Sequence, residues 1–345
     1  MGRELPEQIF ALAIGVLVAG VAQAAFQLPS LRREGYRCEW IAPWGNETVR
    51  EVVRKMIPGT IGVAAFQINV VIVQNLGLLI GTADQPVIAP FNYAVRLMEL
   101  PQGVFGISLA TYLLPTLAGL AAERKFGEFR AALRQGMGHL LLVNLLAAVL
   151  LIVLAEPIVR LLYERGQFGP DATARAAFAL QWLAASLVGY SLVNILARAF
   201  FALGDTQTPM KLSVVCLVLN LILSIALVFP LRQGGFGLAN TLTATLNCAL
   251  LLYALRRKLT RLDLAPLGAS YMPMLVGALL GAALAWGTHA KWEQWIGHAT
   301  LTGKLGAVFA PALAATVVYA VLTLAMKVPS AIEMRDLVLR RIRRG

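Results

Sequence analysis

Residues 89–120 read APFNYAVRLMELPQGVFGISLATYLLPTLAGL. About 20 apolar residues suffice to cross the hydrocarbon core of a bilayer, so this run is long enough to be a membrane span. It contains two charges, Arg96 and Glu99, and among the chain's 30 basic and 18 acidic residues these are the two that lie deep inside an apolar stretch. A charge at bilayer depth costs roughly 2.5 to 3.5 kcal/mol on insertion scales, so its retention calls for a partner or a watery cavity. Three residues apart, the two share one face of a helix. That face is expected to meet something other than lipid.

The rest of the chain is of the same kind. It has 345 residues, 58% hydrophobic and 14% charged, with a mean hydropathy of +0.71. Soluble domains carry about 25% charged residues, which excludes that class. Nine stretches are predicted to span, at about 8–28, 57–80, 87–118, 137–159, 176–201, 210–230, 235–255, 270–288 and 305–326. The fold class is therefore an all-α polytopic membrane protein. The net charge of +12 does not point to nucleic acid, because the basic residues cluster in short segments between apolar runs. Segments 31–56, 119–136, 198–211, 256–261 and the tail from 327 hold 22 of them, and the opposite set of loops holds 7. By the positive-inside bias the C-terminus is cytoplasmic and the N-terminus outside. Residues 1–25 carry a signal-like Ala22-Gln23-Ala24, but the leader MGRELPEQ has one Arg against two Glu, unlike a basic n-region. The expectation is instead that spans precede this chain in its relatives.

No catalytic constellation is present. Cys38, Cys216 and Cys248 are far apart, as are His139, His289 and His298, and none has metal-ligand spacing. There is no Walker A loop and no nucleophile elbow. Cofactors are expected to be none, with any coupling ion left open. Pro90, Pro101 and Pro115 punctuate the charged span. Pro101, two residues after Glu99, is the one where a functional kink and plain tolerance of proline are evenly matched. Residues 47–56 read as a short interfacial helix, and 329–345 (PSAIEMRDLVLRRIRRG) as a basic amphipathic tail suited to an anionic leaflet or to solvent. The sequon Asn46-Glu47-Thr48 falls in a predicted cytoplasmic loop and is discounted as a glycosylation site.

Three segments, in order, carry a resemblance: 92–115 (NYAVRLMELPQGVFGISLATYLLP), 161–173 (LLYERGQFGPDAT) and 198–209 (RAFFALGDTQTP). Together they resemble the MurJ (MviN) lipid II flippases of the MOP transporter superfamily. The resemblance implies a partial MOP-type two-lobe flippase that corresponds to spans six to fourteen of a fourteen-span family. Residues 1–56 would then be the last helix of the first lobe plus a cytoplasmic linker. The second six-helix lobe would be 57–258, and 259–345 the C-terminal helix pair and basic tail. It further implies a bacterial inner-membrane protein whose partners are lipid II, a polyprenyl-diphosphate glycolipid, and membrane lipids. Arg96 would engage the diphosphate and Glu99 would hold or tune it. Arginine suits that role, because its planar fork stays charged and matches phosphate oxygens. Asn92 and Gln102 flank the pair as further polar contacts, with plain helix–helix hydrogen bonding as the alternative. The alternative for Arg96 and Glu99 is a self-satisfied ion pair.

Departures from the family pattern matter. Val95 stands where an acidic or small polar residue is usual. Val73 and Ser224 fall at family sodium-site acids, so that Asn220 alone matches a degenerate sodium site. Loop 163–173, with Glu164, Arg165 and Asp171, is either an outer gate or a solvated turn. In 204–209, Gly204-Asp205 favours a turn and Pro209 a helix start, while Asp205 and Arg198 are expected to be structural. The rival readings are another superfamily exporter, an O-antigen flippase or drug or cation antiporter, and an inactive remnant. An intramembrane glycosyltransferase is disfavoured, because the loop carboxylates are isolated.

Overall fold

A computed structural model describes residues 5–35, 45–82, 85–259 and 265–342. Cys38 and the last three residues of the tail lie outside them. The described elements are helices: α1 (Leu5–Arg33), α2 (Glu47–Ile80), α3 (Ile88–Pro101), a π-helical turn (Gln102–Ile107), α4 (Ser108–Ala122), α5 (Phe126–Val153), α6 (Ala155–Tyr163), α7 (Pro170–Ala184), α8 (Ser186–Ala202), α9 (Gln207–Leu231), α10 (Gln233–Lys258), α11 (Ala265–Trp295), α12 (Leu301–Ala325) and α13 (Pro329–Ile342). Among the described residues, seven helices are long and apolar enough to cross a membrane, and the pair α7–α8, bent by 44°, makes an eighth. The remaining expected span, 57–80, lies within α2, whose apolar part Gln67–Ile80 is shorter.

The chain divides into two compact units, residues 1–58 and 59–345. In the first, α1 runs as one apolar helix with Phe10, Val16, Leu17 and Phe26 exposed along it. Ala22-Gln23-Ala24 lies within this helix. The helix α2 begins at an Asn46 cap, whose Oδ1 accepts from the Thr48 N–H at 2.9 Å. Residues 47–56 are thus the first turns of a long helix and not a separate interfacial one. The cap fixes the start, and no glycine interrupts the run before Pro58.

The second unit is organised around two apolar clusters. One gathers Phe129, Leu133, Met137, Ile195, Phe200, Leu255 and Tyr319, from α5, α8, α10 and α12. The other gathers Phe91, Met98, Leu180, Leu187 and Phe236, from α3, α7, α8 and α10. Faces turned away from these clusters are apolar as well. On α9, Val215, Val218, Ile222 and Phe229 are all exposed. A helix that is apolar all round is one that meets lipid.

Three boundaries differ from the sequence reading. Segment 119–136 is mostly helix, since α5 begins at Phe126 and breaks at Leu154 (φ −100°, ψ 21°) where continuity to 159 was predicted. At Ala185 the span 176–201 bends, and the Ser186 hydroxyl donates to the Leu183 carbonyl at 2.6 Å. Serine back-bonding of this kind bends helices. The span 88–122 stays continuous through Pro101. Loss of that N–H widens the helix into the π turn Gln102–Ile107 and does not break it.

Small residues let the helices of this unit approach closely, as membrane interfaces require. At Gly235 in α10 an added Cβ would lie 2.3 Å from the Leu227 carbonyl oxygen of α9. The obstacle is backbone and cannot rotate away. Gly235→Ala is expected to destabilise the α9–α10 hairpin by about 3 kcal/mol, the upper range for overpacking. The check is a lowered thermal midpoint in detergent, with Gly103→Ala, where a Cβ meets nothing within 4 Å, as the comparison.

Candidate functional site

Apolar residues at 87, 91, 94, 98 and 101 recur at helical spacing, and all five are buried. They press α3 against α7 and α10 through Phe91, Met98 and Phe236. Phe91 and Phe236 stack with ring centroids 5.4 Å apart. The opposite face then carries Asn92, Arg96 and Glu99, all exposed. Arg96 Nη1 donates to Glu99 Oε2 at 3.0 Å, with the two side chains 74% and 49% exposed. Both members belong to one helix, so the pair does not fasten α3 to a neighbour. Gln102 sits one turn on, half-buried at the head of the π turn. There Gly106 meets α8 so closely that a Cβ would fall 2.7 Å from Ser191 Oγ. The four residues predicted for the site therefore follow one another along α3, with Gln102 least accessible.

Loop 163–173 is less free than a solvated turn. Tyr93, beside Asn92, packs on Tyr163 at 4.8 Å and on Phe168 at 5.0 Å between ring centroids. Burial, reinforced by Tyr93, pushes the Tyr163 hydroxyl above its ordinary pKa, against a smaller pull from Arg96. Reading the sequence passed over Tyr93. Its place next to Asn92, with two aromatics in the following loop, was the available signal.

An ionic cluster adjoins the loop. Arg160, 15% exposed, reaches Glu156, Glu164 (3.6 Å) and Glu293 (3.6 Å). Lys304 reaches Glu164 at 3.4 Å, and His298 Nδ1 lies 2.5 Å from Glu293 Oε2. The Thr173 hydroxyl donates to Glu164 at 2.9 Å. Burial alone would raise the Glu164 carboxyl, but Thr173, Lys304 and Arg160 together hold it below the usual range. The cluster ties α6 to α11 and α12. Of the loop charges singled out from sequence, Glu164 belongs to it, while Arg165 and Asp171 are exposed and outside it.

Farther along the chain, Asn220 is 7% exposed and hydrogen-bonded on both sides. Its Oδ1 accepts from Asn69 at 3.4 Å and its Nδ2 donates to Thr243 Oγ1 at 3.1 Å, linking α2, α9 and α10. Among the described residues no group of three or more His, Cys, Asp or Glu could hold a metal. Cys216 and Cys248 are buried free thiols. Arg198 contacts Thr111 Oγ1 at 3.4 Å and the carbonyl of Asn194 at 3.5 Å.

Asp205 opens α9. It accepts from the Thr208 N–H at 3.0 Å and pairs with Lys258 at 2.6 Å. Burial alone would raise its carboxyl, yet Lys258 and Thr208 outweigh that and hold it at about 2. A depressed carboxyl stabilises the fold above its unfolded pKa of about 3.9 and loses that contribution as pH falls through about 2. Asp205→Ala is expected to cost about 1 kcal/mol near neutrality, mostly as a lost cap, since Lys258 is too exposed to add much. Thermal midpoints of wild type and variant should converge as pH drops from about 4 to 2.

Comparison with known proteins adds the lineage. Residues 2–306 match the family described as "Lipid II flippase MurJ". The chain belongs to the MurJ family. A family relative from Haemophilus influenzae, named "Probable lipid II flippase MurJ", is 30% identical over 295 residues, covering 83% of this chain and 56% of that protein. One from Vibrio cholerae with the same name is 31% identical over 314 residues, 86% and 57% of the two chains. "Lipid II flippase MurJ" from Burkholderia cenocepacia is 31% identical over 254 residues, 72% and 49%. The chain thus spans about half the length of the curated MurJ relatives it matches. A solved structure, "Lipid II flippase MurJ, inward closed conformation", superposes with a TM-score of 0.64 at 22% identity, covering 85% of this chain and 57% of that one. At that identity the match speaks for the MurJ fold. The fold is that of a multi-pass membrane protein.

Proposed function

We propose that this chain serves the translocation of lipid II, a polyprenyl-diphosphate-linked peptidoglycan precursor, across the bacterial inner membrane, as a transporter and not an enzyme. The observation that carries the reading is the Arg96–Glu99 pair on an uncovered face of α3, inside an apolar span of a MurJ-family chain. A charge kept there is costly, and a pair that joins no second helix gives little stability in return. An anionic ligand accounts for both. In this reading Arg96 binds the diphosphate and Glu99 holds the guanidinium when the site is empty. Asn92 and Gln102 add polar contacts. Residues 57–258 act as one lobe, with α11 and α12 as a C-terminal pair beside it, and the basic segments and C-terminus lie in the cytoplasm.

The test is rescue of cells depleted of their own lipid II flippase. The chain is expressed alone and fused behind the N-terminal spans of a family relative. Rescue by either form supports the reading. If a membrane-inserted, stably expressed fusion does not rescue, the reading is wrong.

A further inference from the structure

A crevice of about 430 Å³ lies between α5, α12 and α13. Leu142 and Leu146 form one wall, Thr316, Tyr319, Ala320 and Thr323 the other, and Arg335 of α13 stands at one end. The polar groups of the lining are already hydrogen-bonded within the protein. The hydroxyls of Thr316 and Thr323 donate to the carbonyls of Ala312 and Tyr319, both at 2.7 to 2.8 Å. The Tyr319 hydroxyl donates to the Leu142 carbonyl at 2.9 Å. An occupant of the crevice therefore meets hydrocarbon and no free donor, and is itself hydrocarbon.

Its length is bounded too. Thr316 lies nine residues before the end of α12 at Ala325, where the chain turns into α13. At 1.5 Å per residue the crevice reaches about 14 Å in from α13. Half of a hydrocarbon core of about 30 Å is one leaflet. The depth is that of one acyl chain.

The mouth is charged. Arg335 Nε and Nη2 bond Asp336, which leaves its other N–H groups free for a ligand. The acid Glu333 is turned to α5, where it meets Gln135 at 2.9 Å and His139 at 3.1 Å. Arg340 and Arg341 follow on the same helix. Positive charge at the mouth and a dry, leaflet-deep slot behind it select an amphiphile with a negative head.

We propose that this crevice is a binding site for one anionic glycerophospholipid of the leaflet that carries α13, with an acyl chain between α5 and α12 and the phosphate on Arg335. The site is separate from Arg96 and does not depend on what Arg96 binds. It gives the amphipathic α13 a specific lipid in addition to a general attraction to the membrane surface.

The experiment uses the purified full chain, exchanged into non-ionic detergent and titrated under native mass spectrometry. The probes are phosphatidylglycerol, phosphatidylcholine with the same acyl chains, and undecaprenyl phosphate. Wild type is expected to retain phosphatidylglycerol over phosphatidylcholine. Arg335→Gln should weaken phosphatidylglycerol about fivefold, the effect of one basic residue at an anionic surface, and leave phosphatidylcholine unchanged. Ala320→Trp on α12 and Leu146→Trp on α5 each fill the slot and should abolish retention of both, in variants that keep the wild-type thermal midpoint. Equal retention of the two phospholipids by wild type overturns the proposal, as does an Arg335→Gln variant that binds phosphatidylglycerol as wild type does. Undecaprenyl phosphate displacing phosphatidylglycerol at equal concentration would give the crevice to a polyprenyl chain instead.

Discussion

Arg160→Ala is expected to lower stability by about 3 kcal/mol and to loosen α11 and α12 from α6. Arg160 is the one group that touches carboxylates of both α6 and α11, through Glu164 and Glu293. Both acids are largely buried, so neither can turn to solvent when the guanidinium goes. Removing one partner of such a pair costs about 3 to 5 kcal/mol, because a charge is left behind in a poor environment. Lys304 and His298 remain nearby, which places the effect at the lower end. The readout is the thermal midpoint in detergent, together with protease access to 296–304. A second variant sharpens it. Arg160→Met combined with Glu293→Gln should recover part of the loss, since the stranded charge goes with its partner. An unchanged midpoint for Arg160→Ala would mean that the cluster is solvated and holds nothing.

Arg96→Ala should abolish rescue in the fusion that supports growth, with little change in expression or thermal midpoint. The two halves of that expectation have separate causes. Exposed ion pairs contribute about 0 to 1 kcal/mol, so the fold does not need this one. A hydrogen bond to a charged group is worth roughly 1.5 to 3 kcal/mol, and each 1.4 kcal/mol is tenfold in affinity. Binding of a polyprenyl diphosphate should therefore fall at least about tenfold. Arg96→Lys keeps the charge and loses the planar fork, and intermediate binding is expected. Should Arg96→Ala rescue growth as well as its parent, the pair has no part in transport and the assignment of the site fails.

Much of this was legible in the sequence because a bilayer imposes simple rules. Apolar length located the spans, and the cost of a charge at depth singled out Arg96 and Glu99. What stayed hidden depends on contacts between distant residues. Arg160 and His298 are 138 positions apart, and Lys304 and Glu164 are 140 apart, so no local pattern joins them. The aromatic trio Tyr93, Tyr163 and Phe168 is of the same kind. The start of α5 was misplaced for another reason. Its first turns carry Glu128, Arg130 and Arg134, which read as loop charges. Phe129 and Leu133, both fully buried, show that these turns pack on one side while the charges face out. Asn46 looked like part of a sequon and is a helix cap.

The π turn at Gln102–Ile107 makes the length of its span as important as its composition. A π turn holds one residue more than an α-helix needs over the same path. Deleting any residue between 102 and 107 would let the backbone return to regular α-helical bonding. It would also rotate everything after it by about 100°, the angle one residue subtends in an α-helix. Ala110 and Leu117, both fully buried on α4, would swing toward lipid, while Tyr112, 76% exposed, would turn toward α8. Insertions do the same in the opposite sense. Among variants of this family that keep the π turn, the span can change its letters far more readily than its count.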